Sequence, residues 1–318
     1  MRILVTGAAG FIGSAYVRNL LGGAYPGWDD AEVTVLDALT YAGDVANLEP
    51  VLLHRRLTFV RGDIADPGLV SRLMPGHDLV VNFAAESHVD RSIAAADRFV
   101  RTNVAGVETL LRAALDAGVP TFVQVSTDEV YGSIDAGSWA EDSPLRPNSP
   151  YAASKAAGDL MALAHARTHG MDVRVTRCGN TYGPRQYPEK IIPLFVTNLL
   201  AGRPVPLYGD GGNAREWIHV DDHCRGVHQV VEKGVAGEVY HIGGGTELTN
   251  RELTAMLLRA CGAGPDLVRH VADRPGHDRR YSLDDSKLRG LGYRPLVPFE
   301  EGLAETVAWY RTRHEGDT

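Results

Sequence analysis

Three observations predict an α/β fold: a doubly wound parallel sheet of the Rossmann type, followed by a smaller α/β lobe. Short β-branched runs alternate with helical segments through the first half of the chain. A glycine-rich turn, Thr6-Gly7-Ala8-Ala9-Gly10-Phe11-Ile12-Gly13, joins the first such run to the first helix. An acid, Asp37, closes the second run.

In order, the expected strands are Arg2 to Thr6, Glu32 to Asp37, Leu57 to Asp63, Asp78 to Ala84, Thr121 to Ser126 and Asp172 to Arg177. Helices are expected from about Phe11 to Leu21 and from about Phe99 to Ala117. A third begins near Ser149-Pro150, a capping residue followed by proline at the first helical position. Beyond Gly183 the texture changes. Prolines, glycines and aromatics crowd together, as in Pro184, Tyr187, Pro188, Pro193 and Pro204. Residues 1–183 therefore read as a dinucleotide-binding unit and 184–318 as a substrate lobe. Two apolar stretches, His219 to Val231 and Val239 to Ile242, are expected to return to the main sheet, so part of 214–242 interleaves with the first unit.

Bulk properties narrow the classes. With 318 residues, 44% of them hydrophobic and 23% charged, the chain can bury a sizeable core. A net charge of −8 argues against a nucleic-acid-binding surface. No apolar run approaches the ~20 residues of a membrane span. Cys178, Cys224 and Cys261 make neither a disulfide framework nor a zinc set, so no metal is expected. The first residues run straight into a strand with no signal peptide before it, and the expected location is a reducing cytoplasm.

The glycine spacing is Gly-x-x-Gly-x-x-Gly rather than the common dinucleotide fingerprint. It still allows a tight turn and brings backbone N–H groups from Phe11, Ile12 and Gly13 to a pyrophosphate. Asp37 can accept from both ribose hydroxyls and would repel a 2′-phosphate, which favours NAD over NADP. Asp63 and Ile64 follow the third strand, where the acid is either an adenine contact or a turn residue.

The reacting centre is read from two runs. Tyr151 and Lys155 share a helix face, and an ammonium beside a phenol is expected to lower its pKa so that it can take a proton from a substrate hydroxyl. Thr127, at a strand end, would orient that hydroxyl. Asp128 and Glu129 are a surplus that a plain dehydrogenase does not need. Adjacent strand residues point to opposite faces, so both reach one substrate only where the strand has ended. Two nearby carboxylates driven to different pKa values can act as separate acid and base, the division that eliminating water beside a ketone requires.

These residues, with Glu86-Ser87-His88-Val89-Asp90-Arg91-Ser92, Tyr182-Gly183-Pro184 and Pro188-Glu189-Lys190, resemble the dTDP-glucose 4,6-dehydratases of the extended short-chain dehydrogenase/reductase superfamily. The resemblance runs from Met1 to at least Tyr310. It departs at Asn180-Thr181, where the family usually has two asparagines. It implies conversion of dTDP-glucose to dTDP-4-keto-6-deoxyglucose plus water: C4 oxidation, C5/C6 elimination and hydride return to C6, with NAD regenerated. Tyr151 would take the O4 proton, Glu129 the C5 proton, and Asp128 would protonate the departing C6 hydroxyl. The implied cofactor set is Gly7, Gly10, Phe11, Ile12, Gly13, Asp37, Thr40, Asp63, Ile64, Ala84, Ala85, Tyr151, Lys155 and Asn180.

For the substrate's far end, Lys190, Arg215 and Arg274 are phosphate partners by chemistry. The resemblance adds Asn180, Asn250, His277 and Tyr281 around the nucleotide. Ser87 would touch substrate or cofactor, while His88 reads as a structural hydrogen-bonder. Leu194, Pro206 and Tyr208 either pack around the base or belong to the lobe core, and Arg279 and Arg280 read as solvated. Two rivals share the fold. A nucleotide-sugar 4-epimerase needs Tyr151 and Lys155 but no acid pair, and a non-catalytic NAD-sensing protein needs neither. A homodimer is expected through helices near 100–117 and 151–168, where Ala113, Ala114, Ala152, Ala156 and Ala157 permit close packing.

Overall fold

The computed structural model describes residues 1–273 and 275–316. In the first half, strands β1 (Arg2–Thr6), β2 (Glu32–Asp37), β3 (Leu57–Arg61), β4 (Leu79–Asn82), β5 (Thr121–Thr127) and β6 (Asp172–Cys178) alternate with helices α1 (Phe11–Leu21), α2 (Pro67–Leu73), α3 (Val89–Ala94), α4 (Asp97–Val100), α5 (Val107–Ala117) and α6 (Pro150–His169). The second half contains β7 (Asn180–Tyr182), α7 (Ile191–Leu200), β8 (Val205–Tyr208), β9 (Ala214–His219), α8 (Val220–Lys233), β10 (Val239–Ile242), β11 (Thr246–Thr249), α9 (Asn250–Cys261), β12 (Val268–Val271), α10 (Ser286–Gly290) and α11 (Phe299–Gly316).

Among the described residues, seven strands form one parallel sheet in the order β10-β6-β5-β4-β1-β2-β3. The order reverses between β1 and β4, and in such sheets the crevice at the strand carboxyl ends there takes the ligand. Alternation along each strand explains the continuous apolar runs, because both faces are covered. Ile3, Val5, Val33, Val35 and Val81 belong to the core beneath α1 and α8. Leu4, Leu36, Val80, Phe122 and Val175 belong to the core beneath α2, α5 and α6. A separate core around Tyr182, Phe195, Trp217, Leu257 and Phe299 holds the lobe together.

Strand ends fall short of expectation by two residues at β3 and β4, where Gly62 and Phe83 leave the ladder. Val239–Ile242 does join the sheet, beside β6. His219–Val231 returns differently, as helix α8 on the sheet's face. Its apolar residues Val220, Val227, Val230 and Val231 recur at helical spacing and are buried. The helix expected over 99–117 is interrupted by a wider turn of π type at Arg101–Gly106. That turn presents Asn103, whose side chain accepts from Glu86 N–H at 2.9 Å and donates to Ser154 Oγ at 2.9 Å. The small residues Ala113, Ala114, Ala152 and Ala156 are buried within the single chain. Ala157 is half-buried, and Ala153 and Ala164 of the same helix are exposed.

Four elements are pinned by one buried polar chain. Arg177 on β6 donates from Nε to Asp159 on α6 at 2.9 Å, with both side chains at most 3% exposed. Its Nη1 donates to the Tyr131 hydroxyl at 2.5 Å. His241 on β10 must donate from Nδ1 to the Asp284 carbonyl at 2.9 Å, so its Nε2 accepts from Tyr131 at 2.6 Å. Burial lowers His241 to about 4 and keeps that tautomer neutral. Asp159→Ala strands a guanidinium charge in a dry interior. It should cost about 3–5 kcal/mol of stability, read from denaturant unfolding of the two proteins.

Candidate active site

The glycine-rich turn is shaped by contact as well as by its dihedrals. Gly7 has φ +69°, and a Cβ there would lie 2.5 Å from the Ala84 nitrogen. A Cβ on Gly13 would lie 2.6 Å from the Gly7 carbonyl oxygen. Beneath the turn, Thr6 donates to Asn82 at 2.5 Å and Asn82 donates to Gln124 at 2.8 Å, stitching the ends of β1, β4 and β5. Gly10 caps α1, and the next three N–H groups lack helical partners. They are free to meet an anion.

Asp37 is 8% exposed and accepts from Ala9 N–H and Leu39 N–H, each at 2.8 Å. Burial raises its pKa, and the two backbone bonds oppose the rise. The acid thus fastens the glycine turn to the end of β2. Leu39 adopts φ +52° to turn the chain after it.

The chemistry-bearing side chains meet at the end of β5. The strand stops at Thr127, which caps a 3₁₀ turn over Asp128–Tyr131. Thr127 Oγ1 accepts from Glu129 N–H at 3.3 Å and donates to Asp128 Oδ1 at 3.1 Å. Because the chain turns here, Asp128 and Glu129 reach the same cavity. Asp128 is 2% exposed, its Oδ2 is buried without a hydrogen-bond partner, and burial and then the Glu129 charge raise its pKa well above the ordinary range. Ser149 caps α6 by accepting from Ala152 N–H at 3.1 Å, which sets Tyr151 in the first turn. One turn on, Lys155 Nζ donates to the Val125 carbonyl at 2.7 Å and ties α6 to β5.

One expectation reverses. Tyr151 is not acidified: burial, then the Glu129 charge, raise it well above a tyrosine's usual value. Lys155 is itself lowered by burial, so its ammonium does not dominate the phenol's surroundings.

A single cavity of about 330 Å³ unites these parts. Its wall contains Gly7, Gly10, Phe11, Ile12, Gly13, Asp37, Thr40, Asp63, Ile64, Ala84, Ala85 and Asn180, together with Thr127, Asp128, Glu129, Tyr151 and Lys155. Ser87 and Lys190 join it from the substrate set, with Lys190 Nζ donating to the Ser87 carbonyl at 2.8 Å. Sequence reasoning missed Cys178, Gln186 and His223 on the same wall. The Cys178 thiol is pushed up to about 12 by burial and the Asp128 charge. Thr181 Oγ1 lies 2.9 Å from His223 Nδ1, so the departure from the usual second asparagine is met by an imidazole. The position of Cys178 at a strand's carboxyl end was the available signal.

The remaining nucleotide-side residues form a second group off that wall. Arg215 on β9 is buried, donates to the Ala214 and Asp278 carbonyls at 2.7 and 2.9 Å, and lies 4.3 Å over the Tyr281 ring. The Tyr281 hydroxyl donates to Asp278 at 2.5 Å. Asn250, at the start of α9, donates its N–H to Asn213 at 2.9 Å. His277 pairs with Asp273 at 2.6 Å, its ring 6.1 Å from Tyr208. Pro206 stands opposite Arg269 in the β8–β12 ladder, and Leu194 packs against the lobe core. Arg274 lies outside the described residues. Arg279 is exposed and paired with Asp210, whereas Arg280 is half-buried against Glu247. No cluster of three or more potential metal ligands occurs among the described residues.

Comparisons agree with this geometry. The family model described as GDP-mannose 4,6 dehydratase matches residues 4–306. The dTDP-glucose 4,6-dehydratase of Streptomyces niveus is 62% identical over 312 residues, covering 98% of this chain and 93% of that protein. The crystal structure of DesIV, a dTDP-glucose 4,6-dehydratase from Streptomyces venezuelae with NAD bound, superposes with a TM-score of 0.97 at 65% identity, covering 99% of this chain and 98% of that one. A UDP-glucose 4-epimerase from Thermus thermophilus, also solved with NAD, shares the fold at a TM-score of 0.89 but only 34% identity, over 98% and 99% of the two chains. The chain belongs to the dTDP-glucose 4,6-dehydratase family.

Proposed function

We propose that the protein is an NAD-dependent lyase that converts dTDP-glucose to dTDP-4-keto-6-deoxyglucose and water. The observation that carries this is the Thr127–Asp128–Glu129 turn facing the same cavity as Tyr151. Sixty-two per cent identity with a dTDP-glucose 4,6-dehydratase supports the same substrate. The glycine turn, the free N–H groups of α1 and Asp37 fit a dinucleotide with unmodified ribose. Held by that wall, NAD would supply a reversible hydride acceptor and, in its oxidised form, positive charge within the cavity.

Each side chain then has a defined task. Thr127 and Tyr151 hold the C4 hydroxyl, and Tyr151 takes its proton once positive charge is brought close enough to offset burial. Lys155, anchored on Val125, supplies part of that charge. Once C4 is a ketone, the C5 proton is acidic and Glu129 removes it. Asp128, kept protonated by burial and by its neighbour, donates to the departing C6 oxygen. The two acids differ in exposure, Glu129 half-buried and Asp128 buried, which separates base from acid.

We assign the protein to the cytoplasm on its three free thiols, the state a reducing compartment maintains. No helix among the described residues is long and apolar enough to cross a membrane. We propose a homodimer through the outer face of α6, where Ala153, Leu160 and Ala164 are exposed in helical register and where α4, which packs against α6, exposes Val100.

Incubation with dTDP-glucose deuterated at C4 tests the reaction. The expected product has lost water and carries deuterium at C6; unchanged mass with inversion at C4 would make it an epimerase, and binding without turnover a sensor. Glu129→Gln should stall with the near-ultraviolet absorbance of reduced nicotinamide building up. Tyr151→Phe should lose about 100- to 10,000-fold in the first oxidation.

Asp128 makes a second, thermodynamic prediction. Its folded pKa is raised, so the folded chain keeps a proton that the unfolded chain gives up above about pH 4. Stability therefore falls with rising pH from there until the folded pKa is passed, by about 1.4 kcal/mol per unit. Asp128→Asn escapes that loss. It should abolish turnover yet melt at higher temperature than wild type at pH 7, the gap closing toward about pH 4. For the dimer, Leu160→Arg should yield monomers in sedimentation velocity at micromolar protein.

A further inference from the structure

The segment after β4 and the run before α7 make contacts that the proposed chemistry does not use. Arg91 on α3 donates to both carboxylate oxygens of Glu189, from Nε at 3.0 Å and from Nη2. The same guanidinium lies 4.1 Å from the centroid of the Tyr41 ring. Tyr41 meets the edge of Tyr187 with centroids 5.5 Å apart, and its hydroxyl accepts from Ser87 N–H at 3.4 Å. His88 Nε2 stands 3.2 Å from Glu189. Three segments distant in sequence are thus fastened together: the loop after β2, the segment after β4 and the stretch before α7.

All three border the cofactor cavity, through Ala42, Ser87 and Tyr187 respectively. On their far side lies a second cleft of about 510 Å³, whose wall includes Tyr41, Arg185 and Arg313. Ala42, Gly43, Gln186 and Tyr187 belong to both walls. Tyr187 therefore stands on both walls and Tyr41 on the outer one, and Arg91, which lines neither space, holds Tyr41 in place from beside them. In the outer cleft Arg185 and Arg313 lie 5.9 and 4.7 Å from the centroid of the Trp309 ring. Cations beside an aromatic surface suit the pyrophosphate and base of a dinucleotide in transit.

We propose that Arg91, held between Tyr41 and Glu189, fastens a clasp that closes the dinucleotide cavity toward the outer cleft and must open for cofactor exchange. The inference rests on the reading of that cavity as an NAD site. The energetics are those of a gate. Arg91 is 41% exposed and Glu189 36%, so their ion pair is modest and screened by salt. The stacked guanidinium adds a contribution of similar size. Both would be lost together when Arg91 swings away.

The test is the rate at which NAD-loaded protein loses its cofactor after rapid dilution into a scavenging dehydrogenase. Wild type, Arg91→Ala, Arg91→Lys and Tyr41→Leu are compared at low and high salt, with the melting temperature of each recorded. Arg91→Ala should release NAD about tenfold faster, with Arg91→Lys intermediate. Tyr41→Leu, which keeps the ion pair, should also release faster. Wild-type release should quicken with salt while that of Arg91→Ala does not. Equal release rates, or one salt response shared by all four proteins, would sink the clasp and leave the NAD reading intact. A wild-type protein that takes up no NAD at all would overturn that reading, and the clasp with it.

Discussion

The Arg177–Asp159 ion pair, with Tyr131 and His241 attached, is the contact on which the site's geometry depends. Asp159 lies on α6, the helix that carries Tyr151 and Lys155, and Tyr131 ends the 3₁₀ turn that carries Asp128 and Glu129. Arg177 belongs to β6 and His241 to β10. One desolvated guanidinium therefore sets the distance between the two runs of side chains that the proposed reaction needs. Such a network is costly unless its members are satisfied, and here Arg177 Nε and Nη1, the Tyr131 hydroxyl and both His241 nitrogens are bonded, while Asp159 Oδ1 is buried without a partner. An apolar cluster of equal volume would hold the same elements, but with less control over angle and distance.

Electrostatically the cavity is arranged to keep charge out until ligands arrive. Asp128 and Tyr151 are pushed toward their protonated forms and Lys155 toward its neutral one, all three primarily by burial. Glu129 is the less buried acid, and its charge reinforces the rise at both Asp128 and Tyr151. The unpartnered Asp128 Oδ2 and Ser126 Oγ are open valences of the same kind. Destabilised polar groups of this sort persist where the surrounding fold over-determines them. Here the strand end, the α6 cap and the buried ion pair do so.

Much of this was legible in the residues because local rules and the global fold agree. The alternation of β-branched runs with capped helices led to the parallel sheet, and the acid pair after a strand led to the candidate site. All of the residues expected on the cofactor side line one cavity, which lies at the strand ends around the reversal between β1 and β4. What stayed hidden depended on tertiary context. The sign of the Tyr151 shift turns on burial and on Glu129, which no i,i+4 spacing reveals. His219–Val231 was expected to return to the sheet, and only the fold shows that it does so as a helix on the sheet's face, with Asp222, His223 and His228 buried beside its valines. Cys178 and His223 carried no motif. The small alanines of α5 and α6 could not be divided by sequence, because the same composition serves an inward-facing surface and a partner-facing one equally well; Ala113, Ala114, Ala152 and Ala156 face inward.

A reaction that takes hydride from C4 and restores it at C6 leaves its cofactor unchanged, and this shapes what the cavity must do. A dehydrogenase that exchanges cofactor every turnover needs an open crevice. The proposed cycle instead gains from closure, because the unsaturated sugar between elimination and return must not meet bulk water or lose its partner. The wall here is built from both halves of the chain, with Gln186, Tyr187 and Lys190 from the second half facing the glycine turn and Asp37 from the first. Closure by two halves also explains why the sheet accepts a late strand, β10, and a late helix, α8. By returning to the sheet after β9, the chain locks the lobe to the sheet through β10 and α8, so the two halves of the cavity wall are carried on one framework.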